Sequence, residues 1–117
     1  MGVDGLEQLR LRLRKFAKDR EWEQFHSPKN LSMALIAEAA ELVEHFQWLT
    51  QVESRNLSGK DRDEVALEMA DIFIYLVRMA DQLGLDLMEA VNEKIRMNEQ
   101  KYPIDKVKGS SKKYTEY

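Results

Sequence analysis

PKNLSMALIAEAAELVEHFQW, residues 28–48, is the stretch that decides the fold. Leu31, Leu35, Leu42 and Phe46, with Leu49 just beyond, follow one another at three-, four- and seven-residue steps. That is the period of a helix with one side buried. Ser27 is suited to cap the helix and Pro28 to fill its first position, so the spacing predicts a helix from Pro28 to about Trp48. Within it Ala34–Leu42 is apolar except for two acids, Glu38 and Glu41, which lie beside the core stripe.

Downstream, Thr50 to Asp61 is poor in apolar side chains and reads as a loop through Ser54, Asn56, Ser58 and Gly59. A third helix is predicted from about Arg62 to Leu83. It repeats the arrangement of the second, with Glu68 and Asp71 set among Val65, Ala66, Leu67, Met69, Ala70, Ile72, Phe73 and Ile74. Gly84 suits the left-handed position that ends a helix, and Asp86 with Glu89 three residues on resembles a capping box that starts a fourth. Pro103 stops that helix just after Tyr102. Upstream, Leu6, Leu9, Leu13 and Phe16 alternate with Arg10, Arg12, Arg14 and Lys15 in an amphipathic first helix ending near Arg20. No segment alternates like a strand, so the fold class expected is all-α, like a four-helix bundle. Residues 1–105 form the expected domain. Residues 106–117, with Lys106, Lys108, Lys112 and Lys113 beside Gly109, Ser110 and Ser111, read as a flexible basic tail.

At 117 residues, 13.7 kDa and a net charge of -3, the chain has the balance of one small globular domain. A domain of this size buries only about two-thirds of its unfolded surface, so helical pairing with other copies is expected. The acidic balance argues against a nucleic-acid partner, which would call for a clustered basic excess. No apolar run is long enough to span a membrane, so no membrane partner is expected and the location predicted is cytoplasmic. With no cysteine, thiolate metal sites are absent.

The acids carry the chemistry. Residues three apart on a helix project from one side, their Cβ atoms about 5–6 Å apart. Packing the second and third helices together would therefore gather Glu38, Glu41, Glu68 and Asp71. No Lys or Arg occurs within Ala34–Leu42 or Val65–Leu76 to neutralise them, and carboxylates at an apolar face are costly unless partnered. A divalent cation answers that need, and oxygen-only ligands favour Mg²⁺, with Mn²⁺ as a substitute. Four solvated surface acids are the plain alternative.

The residues also resemble a known family. Glu38-x-x-Glu41, 26 intervening residues and then Glu68-x-x-Asp71 is similar to the signature of the MazG-like, all-α nucleoside triphosphate pyrophosphohydrolases. Arg20–His26, Glu41–Trp48, Ile74–Val77, Lys101–Pro103 and Lys113–Glu116 resemble, in that order, the dCTP pyrophosphatase branch. The resemblance implies a homotetramer whose active sites form between subunits. There Glu38, Glu41, Glu68 and Asp71 would hold Mg²⁺ against a triphosphate, Glu41 or Glu38 serving as catalytic base. Trp22, His26 and Trp48 would shape the base and sugar pocket, with Tyr75 near the substrate and Lys94, Asn98 and Tyr102 contributing from the fourth helix. The implied reaction is conversion of dCTP, and of 5-modified dCTP, to a monophosphate and pyrophosphate, a nucleotide-pool house-cleaning step. The pattern departs at Leu13, where that branch carries a histidine facing the nucleotide.

Residue chemistry allows these roles. Lys94, Asn98 and Tyr102 recur at four-residue steps on one side of a helix, and Tyr75 lies four residues past Asp71 on the carboxylate side. Trp22 and Trp48 offer flat rings for stacking. Core packing and polar helix flanks would explain the same residues without a ligand. Two other functions remain: a pyrophosphohydrolase of broader specificity, and a non-catalytic helical interaction module. A di-iron bundle is disfavoured because no Glu-x-x-His pair occurs.

Overall fold

A computed structural model describes residues 5–111. Lys112, Lys113 and the Lys113–Glu116 block of the family pattern lie outside the described residues. Those described are all-α, with no strand among them, as the absence of alternation predicts. They fall into two compact units, one ending at Leu85 and the other beginning at Asp86.

The first unit contains α1 (Gly5–Asp19), a 3₁₀ turn (Glu23–Phe25), α2 (Pro28–Glu44), α3 (Gln51–Ser54) and α4 (Gly59–Leu83). The α4 helix packs along α2 and against α1. Its buried apolar residues come from all three: Ala17 of α1, Leu31 of α2, and Val65, Val77 and Ala80 of α4. Truncating a residue as enclosed as Leu31 to alanine costs about 2–5 kcal/mol.

Ser27 caps α2 as its sequence predicts, accepting a hydrogen bond from the Asn30 amide at 3.1 Å with Pro28 in the first turn. The helix ends at Glu44, however, and does not continue to Trp48. From His45 onward the backbone turns to shorter bonds, His45 N–H to Leu42 at 3.2 Å and Phe46 N–H to Val43 at 2.9 Å, a tightened turn that ends the helix. The expected loop also holds a helix. Thr50 and Glu53 form a reciprocal capping box that starts α3, and α4 begins at Gly59, three residues ahead of the predicted start.

α1 and α4 end in the same motif with different residues. Leu85 N–H reaches the Ala80 carbonyl at 2.9 Å across Gly84, whose φ is 67°. Trp22 N–H likewise reaches the Ala17 carbonyl at 2.9 Å, but across Glu21, whose φ is 55°. A side chain in the left-handed region costs about 1–2 kcal/mol. The turn it permits throws Trp22 back along α1, where its ring meets Phe16 edge-on at 5.7 Å.

The second unit contains α5 (Leu87–Lys101) and α6 (Ile104–Val107). Asp86 caps α5 by accepting from the Glu89 amide at 3.0 Å. The helix stops ahead of Pro103, as predicted. Lys106, placed by sequence at the start of a tail, lies within the turn of α6.

Candidate active site

Helix pairing brings the acids together. Ligand oxygens of Glu38, Glu41 and Glu68 all lie within 4.8 Å of one another. Asp71 follows Glu68 by one turn on the same side of α4 and is near enough to raise the proton affinity of both Glu38 and Tyr75. The Glu68 carboxylate is the largest influence on Glu38, because a protonated Glu38 can share its proton with it. Burial follows, then Glu41, and together they push the Glu38 carboxyl up to about 7. When ionised, the cluster has no donor: Glu68 Oε2 is buried without a hydrogen-bond partner among the described residues, and no ion pair among them reaches any of the four acids. A hard divalent cation fits such an oxygen-only, uncompensated donor set.

Beside the acids is a cleft of about 470 Å³, lined by Leu9, Arg12, Leu13 and Phe16 of α1, by Trp22 and His26 of the connection, and by Asp71, Ile74, Tyr75 and Arg78 of α4. Asp71 belongs to both features. Three predicted substrate residues, Trp22, His26 and Tyr75, therefore share one cavity. Burial, reinforced by Glu38 and Asp71, raises the Tyr75 hydroxyl, which keeps its proton and remains a donor. Burial and then Arg78 lower His26, so its imidazole is neutral. Its Nδ1 accepts from Arg78 Nε at 3.3 Å, which leaves the ring proton on Nε2.

Of the remaining predicted residues, one belongs to the first unit and three to the second. Trp48 sits in the turn after α2, 86% exposed, and does not line the cleft. Lys94 and Asn98 are exposed on α5, and Tyr102 caps its C-terminus. Sequence reasoning missed Arg12 and Arg78. Arg78 occupies an apolar part of α4, seven residues past Asp71, and that placement was its one legible signal.

A family model described as the MazG-like family matches residues 34–117, which include all four acids. The chain is 43% identical over 113 residues to dCTP pyrophosphatase 1 of Homo sapiens and 42% identical over 113 residues to that of Rattus norvegicus. Each match covers 95% of this chain and 66% of the relative, so the chain spans just under two-thirds of their length. It is also similar to a crystal structure of a pyrophosphatase from Archaeoglobus fulgidus, with a TM-score of 0.82 and 38% identity over 88% of this chain and 96% of that one.

Proposed function

The chain belongs to the MazG-like family, and on that premise we propose that it is a Mg²⁺-dependent pyrophosphohydrolase that converts dCTP to dCMP and pyrophosphate. One observation carries the reading: an uncompensated group of carboxylates meets, through Asp71, a cleft lined by Phe16, Trp22, His26 and Tyr75. The names of the human and rat relatives point to the same substrate.

Glu38, Glu41, Glu68 and Asp71 would hold the metal. Mg²⁺ there supplies neutralisation of the triphosphate charge and Lewis acidity toward its phosphoryl oxygens. The protein's own groups do the rest. Glu41 or Glu38 accepts a proton from the attacking water, and the leaving group is pyrophosphate. Tyr75, with its hydroxyl protonated, donates to a phosphate or sugar oxygen, while His26 presents Nε2–H toward the nucleotide. The Trp22 ring, fixed edge-on against Phe16, walls the base position.

Lys94, Asn98, Tyr102 and Trp48 are proposed to complete sites in a homotetramer. Exposed apolar side chains support association: Met33, Ile36 and Val43 on α2, and Leu67 and Phe73 on α4. Burying such a surface between copies would stabilise it by roughly 25 cal/mol per Å². Among the described residues no helix is long and apolar enough to cross a membrane, and action on the free nucleotide pool fits a cytosolic location.

The test is pyrophosphate release from a panel of ribo- and deoxyribonucleoside triphosphates, including 5-substituted dCTP, with Mg²⁺ and with chelator. Metal-dependent conversion of dCTP to dCMP is expected. Activity spread evenly over all bases would replace the substrate assignment with a broader house-cleaning role, and inactivity on every triphosphate would overturn the reaction.

A further inference from the structure

Arg78 is 3% exposed, a buried cation on the wall of the cleft. Two of its three nitrogens are engaged: Nε donates to His26 Nδ1 at 3.3 Å and Nη1 to Asp81 Oδ2 at 3.1 Å. Nη2 is buried and has no acceptor among the described residues. Its two hydrogens are unclaimed. Leaving a buried donor unmatched is unfavourable, more so for a charged one, so the group calls for a partner from water or a bound molecule.

The acceptors that hold the guanidinium are already engaged among the described residues. Asp81 already accepts from Arg10 Nη1 at 2.8 Å and from Arg14 Nη2 at 2.6 Å, and neutral His26 has spent its one acceptor on Nε. Glu7 pairs with Arg10. Three guanidiniums thus meet two carboxylates, and the surplus positive charge faces the cleft through Arg78. Its place along α4 is informative. Glu68, Asp71, Tyr75 and Arg78 follow at three- and four-residue steps on one side of the helix, and a rise of 1.5 Å per residue puts Arg78 about 10 Å beyond Asp71. With the phosphates at the acids and the sugar by Tyr75, the base arrives at Arg78.

We propose that Arg78 is the specificity-determining residue of this site, its Nη2 donating to the adjacent O2 and N3 acceptors of cytosine. The inference rests on the nucleotide reading above. A donor-only group suits cytosine because both atoms accept. Uracil and thymine carry a hydrogen on N3, which sets donor against donor at that position. The flat guanidinium, held at two corners, is oriented for this in a way that a lysine ammonium is not.

The experiment compares wild type, Arg78→Met and Arg78→Lys in two readouts: steady-state kinetics on dCTP and dUTP with Mg²⁺, and calorimetric binding of dCMP and dUMP. Arg10 and Arg14 still hold Asp81 in both variants, and Arg78→Lys also keeps the charge, so at least one folded variant is expected. The predicted result is a fall in kcat/KM for dCTP of about 10- to 100-fold, carried mainly by KM, with dUTP changing less than about threefold. The preference for dCMP over dUMP should collapse in parallel. Equal losses on both nucleotides, or no loss, would overturn the assignment. Wild-type protein that prefers dCMP through Arg78 yet cleaves no triphosphate would keep this inference and remove the reaction. Protein that neither binds nor cleaves any nucleotide would remove both.

Discussion

Asp71 and Asp81 stand ten residues apart on the same helix and have opposite surroundings. Asp81 accepts from Arg10, Arg14 and Arg78, with its side chain 6% exposed. Hydrogen bonding from Arg14, outweighing burial, holds its carboxyl below the usual range. Asp71 and Glu68 face Glu38 and Glu41, which are also acids, and Glu38 is driven upward. Around Asp81 the chain meets its own charge; around Glu68 it leaves negative charge unmatched. The first arrangement ties α1 to α4 and serves the fold. The second costs the fold stability, a cost that the proposed divalent cation would offset.

Removing a carboxylate should therefore have opposite consequences in the two places. The largest effect is expected at the acids. Glu38→Gln and Asp71→Asn should each reduce turnover by more than about a hundredfold while the helical circular dichroism signal persists. In chelator, Glu68→Gln should melt at a higher temperature than wild type because it relieves repulsion. A lower melting temperature would break the contrast.

Asp81→Asn should act on stability instead. It strips three guanidiniums of their shared carboxylate, and since Arg10 and Arg14 are partly exposed the cost is discounted to about 2–3 kcal/mol. Urea unfolding would measure it, and a change below about 0.5 kcal/mol would show that Asp81 is not the tie described.

The two sites also respond to pH in opposite senses. Asp81 has a folded pKa below its unfolded one, so its contribution is complete above the usual aspartate pKa of about 3.8 and is lost as pH falls below that. Glu38 has a folded pKa raised to about 7, so its ionisation disfavours the folded state, increasingly as pH rises from its ordinary value toward 7. Metal-free protein should lose stability on both sides of mildly acidic pH. Mg²⁺ should raise the melting temperature more at pH 8 than at pH 5, whereas parallel shifts would remove the acids as its site.

The smallest effect is expected at an acid in neither group. Glu21 holds a left-handed turn suited to glycine, and Glu21→Gly should stabilise by about 1 kcal/mol in thermal unfolding without changing metal response. A loss of stability would mean that its side chain does more than occupy the turn.

Much of this was legible in the sequence. Leucine periodicity found the long helices, Gly84 and Pro103 marked their ends, and acids at three-residue spacing in apolar runs marked the candidate site. Capping at Ser27 and Asp86 is local chemistry and was read directly. Thr50 and Glu53 carried the same local signal, obscured by the polar residues around them. The end of α2 at Glu44 was not legible, because Phe46 and Leu49 continue the apolar period after the backbone has turned. Arg78 was hidden for another reason: an arginine inside a helix reads as surface until His26, from another part of the chain, closes over it beside Asp81. Glu21 was hidden because only its φ distinguishes it from any exposed acid.

Whether the unmatched acids form a divalent-cation site is decided by calorimetric titration of Mn²⁺ and Mg²⁺ into wild type, Glu68→Gln and Asp81→Asn under conditions where all three are folded. Saturable binding by wild type and by Asp81→Asn, weakened at least about tenfold in Glu68→Gln, is the result predicted. Equal binding by all three, or none by wild type, would contradict it.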